Sequence, residues 1–258
     1  MIETAAATGQ RPGTGFSVRL AGCAADIEAA QQLRYAVFVE ELGGDGPMVD
    51  HAARLERDRF DPYYDHMIIE DGPGRVVGVY RLLRDDAAAR AGQFYSEDEY
   101  DLTPLRASGR RLLELGRSCL HPDYRGGTAL YALWQGLADY VVDHRIEILF
   151  GVASFHGTDV DRLAAPLSLL HQRHLAPEPL RVRARAFQSM DLVPPDALDR
   201  RAAMLQVPPL IRSYLRMGGF VGEGAFVDHA FNTTDVCLLM DTARLDPVAS
   251  ARYARGRL

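Results

Sequence analysis

The sequence predicts an α/β protein built on a mixed sheet flanked by helices, and three observations carry that expectation. Residues 112–120 (LLELGRSCL) read as an apolar strand, 129–144 (ALYALWQGLADYVVDH) as a helix and 146–154 (IEILFGVAS) as a second strand. Strand, helix, strand in that order places the two strands side by side and parallel. HMIIE and RVVGVYRLL flank a DGPG turn and read as a hairpin. Hydrophobic residues make up 47% and charged residues 25% of 258, the ordinary balance of a globular chain long enough to bury a core.

Taken in order, the opening MIETAAATGQRPGTG has neither the basic start nor the apolar centre of a secretion signal, so residues 1–15 are expected to be a flexible tail. No run reaches the roughly 18 apolar residues that a membrane span requires, and a cytoplasmic protein is expected. Residues 16–258 lack a long linker and are expected to form a single domain with a C-terminal extension. Ile27, Ala30, Leu33, Val37 and Leu42 recur near helical spacing over residues 26–42, with Asp26 as a cap and GGDGP as the stop. Residues 51–65 are dense in charge and tyrosine and predict an ordered loop or one short helical turn. After the hairpin, a polar stretch over 85–110 holds a short helix around SEDEYDL. In the helix over 129–144, Ala129, Leu133, Leu137 and Val141 form a core face. LAAPLSLLHQRHL predicts a helix broken early by Pro166, RVRARAF alternates as a strand, and PPLIRSYLRMGG is helix-like. GAFVDHAF and TDVCLLM read as a final strand pair.

Composition excludes several chemistries. The chain has no lysine, so all 29 basic residues are arginine, and neither Schiff-base catalysis nor a lysine-terminated phosphate loop is available. A net charge of −6 disfavours non-specific nucleic-acid binding. Cys23, Cys119 and Cys237 lie far apart without CxxC spacing, and His66, His121, His144, His156, His171, His174 and His229 show no ligand spacing, so no metal or disulfide framework is expected. Cys119 also lacks a nucleophile-elbow context.

Some residues demand a chemical account. A glutamate inside a buried strand is costly unless paired or protonated, which singles out Glu114 with Arg117 as its partner. Residues three apart on a regular strand face opposite sides, so Gly116 is expected to mark a bulge that turns both toward one side. Such a bulge frees backbone N–H groups that can polarise a carbonyl, while a buried ion pair without chemistry is the competing reading. Arg125, Gly126 and Gly127 stand where strand hands over to helix, a place suited to phosphate. Arg34 and Phe38 share a helical face, Asp58 and Asp61 lie three apart in DRFD, and Arg81 sits within a strand. Paired carboxylates near an arginine suit a small molecule bearing both ammonium and carboxylate; surface salt bridges are the plain alternative. Arg181, Arg183 and Arg185 alternate toward one face of their strand, with Arg173 just upstream, and offer a basic surface to an acidic partner.

LRYAVFVEEL, DRFD, VVGVYRLL, LLELGRSCLHPDYRGG and FGVASFHGTD, in that order, resemble the GNAT superfamily, in particular its branch that takes acyl groups from acyl carrier protein. The resemblance spans residues 16 to 240 and is strongest to the ornithine N-acyltransferases that make lyso-ornithine lipid, with the acyl-homoserine-lactone synthases also similar. The lactone-synthase motif maps onto Arg34, Phe38, Asp58, Asp61, Arg81, Phe94, Glu114 and Arg117. The tryptophan expected after Phe38 is missing, and PPLIRSYLRMGGFVGEGAFVDHAFNTTDVCLLMD resembles the ornithine-lipid enzymes instead. The usual pyrophosphate loop, Q/R-x-x-G-x-G/A, would need glycine at 128 and glycine or alanine at 130, where this chain has Thr128 and Leu130.

The resemblance implies a GNAT-like mixed central sheet and transfer of a 3-hydroxyacyl group to the α-amine of an amino acid, with ornithine first and glutamine or lysine open. It implies no bound cofactor, the donor being the acyl-phosphopantetheine of acyl carrier protein. Glu114 and Arg117 would be catalytic. Arg34, Phe38, Asp58, Asp61, Arg81 and Phe94 would bind substrate. Gly116, Ser118, Leu120, Arg125, Gly126 and Gly127 would hold the acyl donor, and Arg173, Arg181, Arg183 and Arg185 would dock the carrier protein. An amphiphilic product suits peripheral contact with the inner membrane. A lactone synthase, an acyl-coenzyme A acetyltransferase and a non-enzymatic acyl-carrier or lipid-binding module are the competing functions.

Overall fold

A computed structural model describes residues 15–72, 74–125 and 128–245; residues 1–14 of the expected tail and the Gly126–Gly127 pair lie outside the described residues. The chain runs β1 (Phe16–Leu20), α1 (Ala24–Arg34), β2 (Asp65–Asp71), β3 (Val76–Arg84), α2 (Asp85–Ala91), β4 (Tyr100–Asp101), α3 (Thr103–Ala107) and β5 (Leu112–Leu120). There follow α4 (Thr128–Asp143), β6 (Ile148–His156), α5 (Ala164–His174), β7 (Arg183–Ala184), α6 (Arg200–Gln206), α7 (Pro209–Arg216), β8 (Phe220–Val221), β9 (Phe226–Asp228) and β10 (Thr233–Asp241). The described residues divide into two compact units, one from residues 15–83 and 115–145, the other from 84–114 and 146–245.

In the first unit β1 pairs antiparallel with β2 and β2 with β3. The buried hairpin strands need close partners. A Cβ at Gly78 would lie 2.6 Å from Leu120 Cδ2 and 2.8 Å from Ile69 Cδ1, so only glycine fits there unchanged. Helix α4 approaches β1 and β2 through Gly136, where a Cβ would meet Val18 at 2.6 Å and Met67 Sδ at 3.1 Å. Of its expected face, Ala129, Leu133 and Leu137 are buried and Val141 is half-buried. Ala30, Leu33, Val37, Ile68, Val79 and Cys119 form one hydrophobic cluster, with Phe38 packed against it. The helix expected over 26–42 is two elements. Beyond Arg34 it widens into a π-helix, Tyr35–Glu41, with Leu42 donating to the Val37 carbonyl five residues back, a widening found often at functional sites. Asp26 does not cap it through the N-cap position, which Cys23 occupies; the Asp26 carboxylate binds Arg19 and the Gly22 N–H.

In the second unit the start of β5 runs parallel to β6, from Leu112↔Ile148 to Glu114↔Phe150, as the strand, helix, strand order requires. Strand β6 pairs antiparallel with β10 along nine residues, and β10 also carries β8 and β9. Helices α5 and α6 share a core of Leu169, Leu198 and Ala203. Two expectations are corrected here. Pro166 does not break α5, because it falls in the first turn, where its missing N–H would have had no partner. RVRARAF is not a continuous strand: β7 keeps two residues, because β4 offers two to pair with, while the Ala184 N–H donates to the Glu223 carbonyl and the Arg185 N–H to the Glu99 carbonyl. Helix α2 arises in the stretch read only as polar, with Asp85 and Asp86 in its first turn and left-handed Gly92 (φ 91°) ending it.

Candidate active site

Three arginines and three carboxylates interlock in the first unit. Arg34 donates through Nη1 to Asp61 Oδ1 at 2.7 Å and clasps Glu56 Oε2 with Nε and Nη2. Arg81 Nη1 reaches Asp58 Oδ2 at 2.8 Å and Asp61 Oδ1 at 2.6 Å, and its guanidinium lies 4.3 Å from the Tyr64 ring centroid. Arg117 Nε donates to Glu56 Oε1 at 3.1 Å, with Nη2 3.8 Å from Asp58 and the Phe38 ring 5.9 Å away. Gln31 donates to the other oxygen of Asp61 at 2.9 Å. Single charges at this depth would be prohibitive, but each carboxylate here faces at least two guanidiniums.

Electrostatics follow from that crowding. Burial pushes the Glu56 carboxyl up, but Arg117, Arg34 and Arg81 outweigh it and hold the group down to about 2. Asp61 is likewise held well below the usual carboxylate range, against its own burial, by Arg34 and Arg81. Burial keeps His66 below its ordinary value, and Arg34 and Arg81 reinforce the effect. Its Nε2 lies 3.0 Å from the Asp61 carbonyl, which can only accept, so Nε2 carries the hydrogen. Arg34 and Arg81 are fully buried, whereas the Asp58 and Arg117 side chains keep 19% and 15% of their surface in water. These two form the solvent-facing edge of the array.

Arg117 also has φ 52°, a left-handed conformation that a side chain adopts at a cost. The left-handed position in β5 thus falls on Arg117, directly after Gly116, where an added Cβ would meet Tyr64 Oη at an ordinary 3.7 Å.

Glu114 and Phe94 belong to the second unit. Glu114 is 1% exposed. Its Oε1 accepts from the Ser96 N–H at 2.6 Å and from the Ser96 hydroxyl, and Oε2 accepts from the Tyr95 N–H at 2.8 Å. The donors stand at the start of a 3₁₀ turn, Tyr95–Asp98, whose first N–H groups lack partners within the turn. Phe94 is fully buried, edge-on to Phe150 at 5.0 Å and beneath Arg106 at 4.9 Å.

Of the expected donor-binding residues, Gly116 and Ser118 are half-buried and Leu120 is buried. Arg125 forks Glu41 at 2.5 and 2.6 Å and donates to the Leu120 carbonyl. Of the expected docking arginines, Arg173 is exposed on α5, Arg181 donates to the Ala176 carbonyl, Arg183 pairs with Glu223 over the Phe187 ring, and Arg185 donates to the Glu97 carbonyl.

Sequence reasoning missed Glu56, Gln31, Tyr64 and Ser96. Glu56 sits in the charge-dense LERDRFD, where one more acid reads as solvated surface; only its even spacing from Asp58 hinted otherwise. Ser96 carried no signal, because its partner lies 18 residues away.

Residues 33–135 match the acetyltransferase (GNAT) domain family. The chain is 64% identical over 246 residues to the L-ornithine N(alpha)-acyltransferase of Rhodobacter capsulatus, covering 93% of this chain and 95% of that protein. It is 42% identical to the enzyme of the same name from Brucella abortus, covering 92% and 87%. Among solved structures, a coenzyme A-dependent acyl-homoserine lactone synthase shares 15% identity at a TM-score of 0.49, over 88% of this chain and 82% of that one.

Proposed function

The chain belongs to the L-ornithine N(alpha)-acyltransferase family of GNAT acyltransferases, and on that premise we propose that it moves a 3-hydroxyacyl group from acyl carrier protein to the α-amine of ornithine, opening ornithine lipid synthesis. The observation that carries this reading is the 64% identity extending over nearly all of both chains. The arginine–carboxylate array supplies the chemical argument. A zwitterionic amino acid with a second amine needs an anionic and a cationic contact, and Asp58 and Arg117 offer both where water reaches them. Arg81 holds Asp58 and Glu56 holds Arg117 from behind, Arg34 and Asp61 complete the array, and the Phe38 ring lies beside Arg117.

In the proposed reaction the α-ammonium loses a proton, its nitrogen attacks the thioester carbonyl, and the tetrahedral intermediate collapses with cleavage of the C–S bond. The N-acyl amino acid forms as the nitrogen gives up its second proton, and the leaving phosphopantetheine thiolate takes up one proton to become the thiol. Glu114 takes the proton from the amine, directly or through water. Backbone N–H groups of β5 around Gly116 face the developing oxyanion. The donor is a carrier protein and not coenzyme A, since the chain lacks the glycine and small residue of a pyrophosphate loop at 128 and 130. Phosphopantetheine on a carrier brings a single phosphate diester, for which Ser118, Leu120, Arg125, Gly126 and Gly127 serve. Acyl carrier protein docks on the arginine surface around Arg173 and Arg183. Among the described residues no helix is long and apolar enough to cross a membrane; contact with the inner membrane is peripheral.

The test supplies 3-hydroxyacyl carrier protein, or the same chain on coenzyme A, with a pool of amino acids, and identifies products by mass spectrometry. N-acyl ornithine from the carrier-bound donor is expected. Preference for glutamine overturns the acceptor, faster turnover with coenzyme A overturns the donor, and a lactone formed from S-adenosylmethionine overturns the reaction. Glu114→Gln is expected to lower turnover by about 100-fold or more without loss of fold, and near-normal turnover removes Glu114 from the base role.

A further inference from the structure

The turn that grips Glu114 is itself braced. Glu97 Oε2 accepts the Phe94 N–H at 2.7 Å, and its carboxylate is forked by Arg106, Nε to Oε1 at 2.9 Å and Nη2 to Oε2 at 2.5 Å. From the other side Arg185 donates through Nε to the Glu97 carbonyl at 2.7 Å and through its backbone N–H to the Glu99 carbonyl at 2.8 Å. The segment from Phe94 to Glu99 is thereby fixed from α3 and from the end of β7. The two N–H groups it presents, and the Ser96 hydroxyl, all point at one carboxylate.

We propose that Ser96 is a positioning residue for Glu114, its hydroxyl and N–H fixing the carboxylate plane through Oε1, and that the Glu97–Arg106 fork braces the turn that supplies those donors. The inference rests on the reading of Glu114 as the base. Ser96 is fully buried, so it acts through Glu114 and does not touch substrate. A carboxylate held in one plane accepts its proton without first reorganising, which is where preorganisation lowers a barrier. A carboxylate that loses a donor to its charged form also becomes a stronger base and stays protonated to higher pH. Removing the hydroxyl therefore moves rate and pH dependence together, whereas a purely structural serine would change stability alone.

The experiment measures kcat, both Michaelis constants and the pH profile of kcat/KM for Ser96→Ala, with ornithine and 3-hydroxyacyl carrier protein. About a tenfold lower kcat, Michaelis constants within about twofold, and an acid limb displaced to higher pH are expected. Wild-type kcat with an unmoved acid limb overturns the proposal. If Ser96→Ala fails to fold by circular dichroism, Arg106→Met decides through the same readouts: a smaller loss with the same displacement supports the brace, and an unchanged profile overturns it. In the Glu114→Gln background, Ser96→Ala is expected to cost nothing further, and additive losses overturn the coupling. Near-normal turnover of Glu114→Gln alone sinks the base reading, while an inactive Glu114→Gln beside a wild-type-like Ser96→Ala sinks only the positioning role.

Discussion

Glu56 shows what single residues do in this protein. It takes Arg34 on one oxygen and Arg117 on the other at 1% exposure, so removing its charge takes from the buried Arg34 one of its two carboxylates and leaves Asp61 alone to balance it. Glu56→Leu is expected to destabilise the fold by about 3–5 kcal/mol, the usual consequence of breaking one side of a buried pair, as measured by urea unfolding. Arg117→Met is expected to be milder for stability, since Arg117 stands at the solvent edge, but to raise KM for the amino acid about tenfold or more if that edge binds the acceptor. An unchanged KM would remove Arg117 from acceptor binding. Sequence reasoning found Arg81 and Arg117 because charges inside apolar strands are costly, and Arg34, Asp58 and Asp61 through their spacing, Arg34 one helical turn from Phe38 and the two aspartates three apart in DRFD. It did not find Glu56 or Gln31, whose partners Arg34 and Asp61 lie 22 and 30 residues away.

At the scale of elements, periodicity revealed most of the strands and helices that matter. Residues 112–120 are β5 at both ends, and α4 and the β2–β3 hairpin lie within a residue or two of expectation. Failures occurred where local pattern was overruled by the partner available. RVRARAF alternates as a strand should, yet its partner β4 is two residues long, and the N–H groups go elsewhere. The helix at 26–42 keeps its apolar spacing but changes winding at Tyr35. Glycine placement gives the sharpest element-scale test. Gly78→Ala puts a methyl 2.6 Å from Leu120 of β5 and 2.8 Å from Ile69 of β2, both buried, and is expected to cost about 1–3 kcal/mol by overpacking. Gly116→Ala, with 3.7 Å to its nearest atom, is expected to leave stability within about 1 kcal/mol. Thermal unfolding of the two variants side by side checks the contrast, and equal losses would refute it.

For the whole molecule, the buried charges set the response to pH. The Glu56 carboxyl stands at about 2 in the folded chain against its ordinary 4.5, so the stability it contributes is complete above pH 4.5 and is lost as pH falls toward 2. That loss is on the order of 3 kcal/mol by linkage. Asp61, also depressed, acts in the same direction, and His66, held neutral by burial, begins the decline below its ordinary 6.5. Unfolding followed by circular dichroism is expected to show stability falling from about pH 6 and steeply below 4.5; a chain equally stable at pH 3 and pH 7 would contradict this. Charge reversal of Arg173 and Arg183 together is expected to raise KM for the acyl carrier protein about tenfold with the KM for ornithine unchanged, and no change would exclude that surface as the dock. By itself the sequence determined the α/β class, the parallel β5–β6 pair and the acyltransferase family, because periodicity, strand–helix–strand order and separated motifs are local properties of the chain. Only the tertiary structure decided which charges answer one another: Arg117 with Glu56, Glu114 with the Tyr95–Ser96 turn. Those partners lie from 18 to 61 residues apart, and nothing short of the folded backbone brings them within hydrogen-bonding distance.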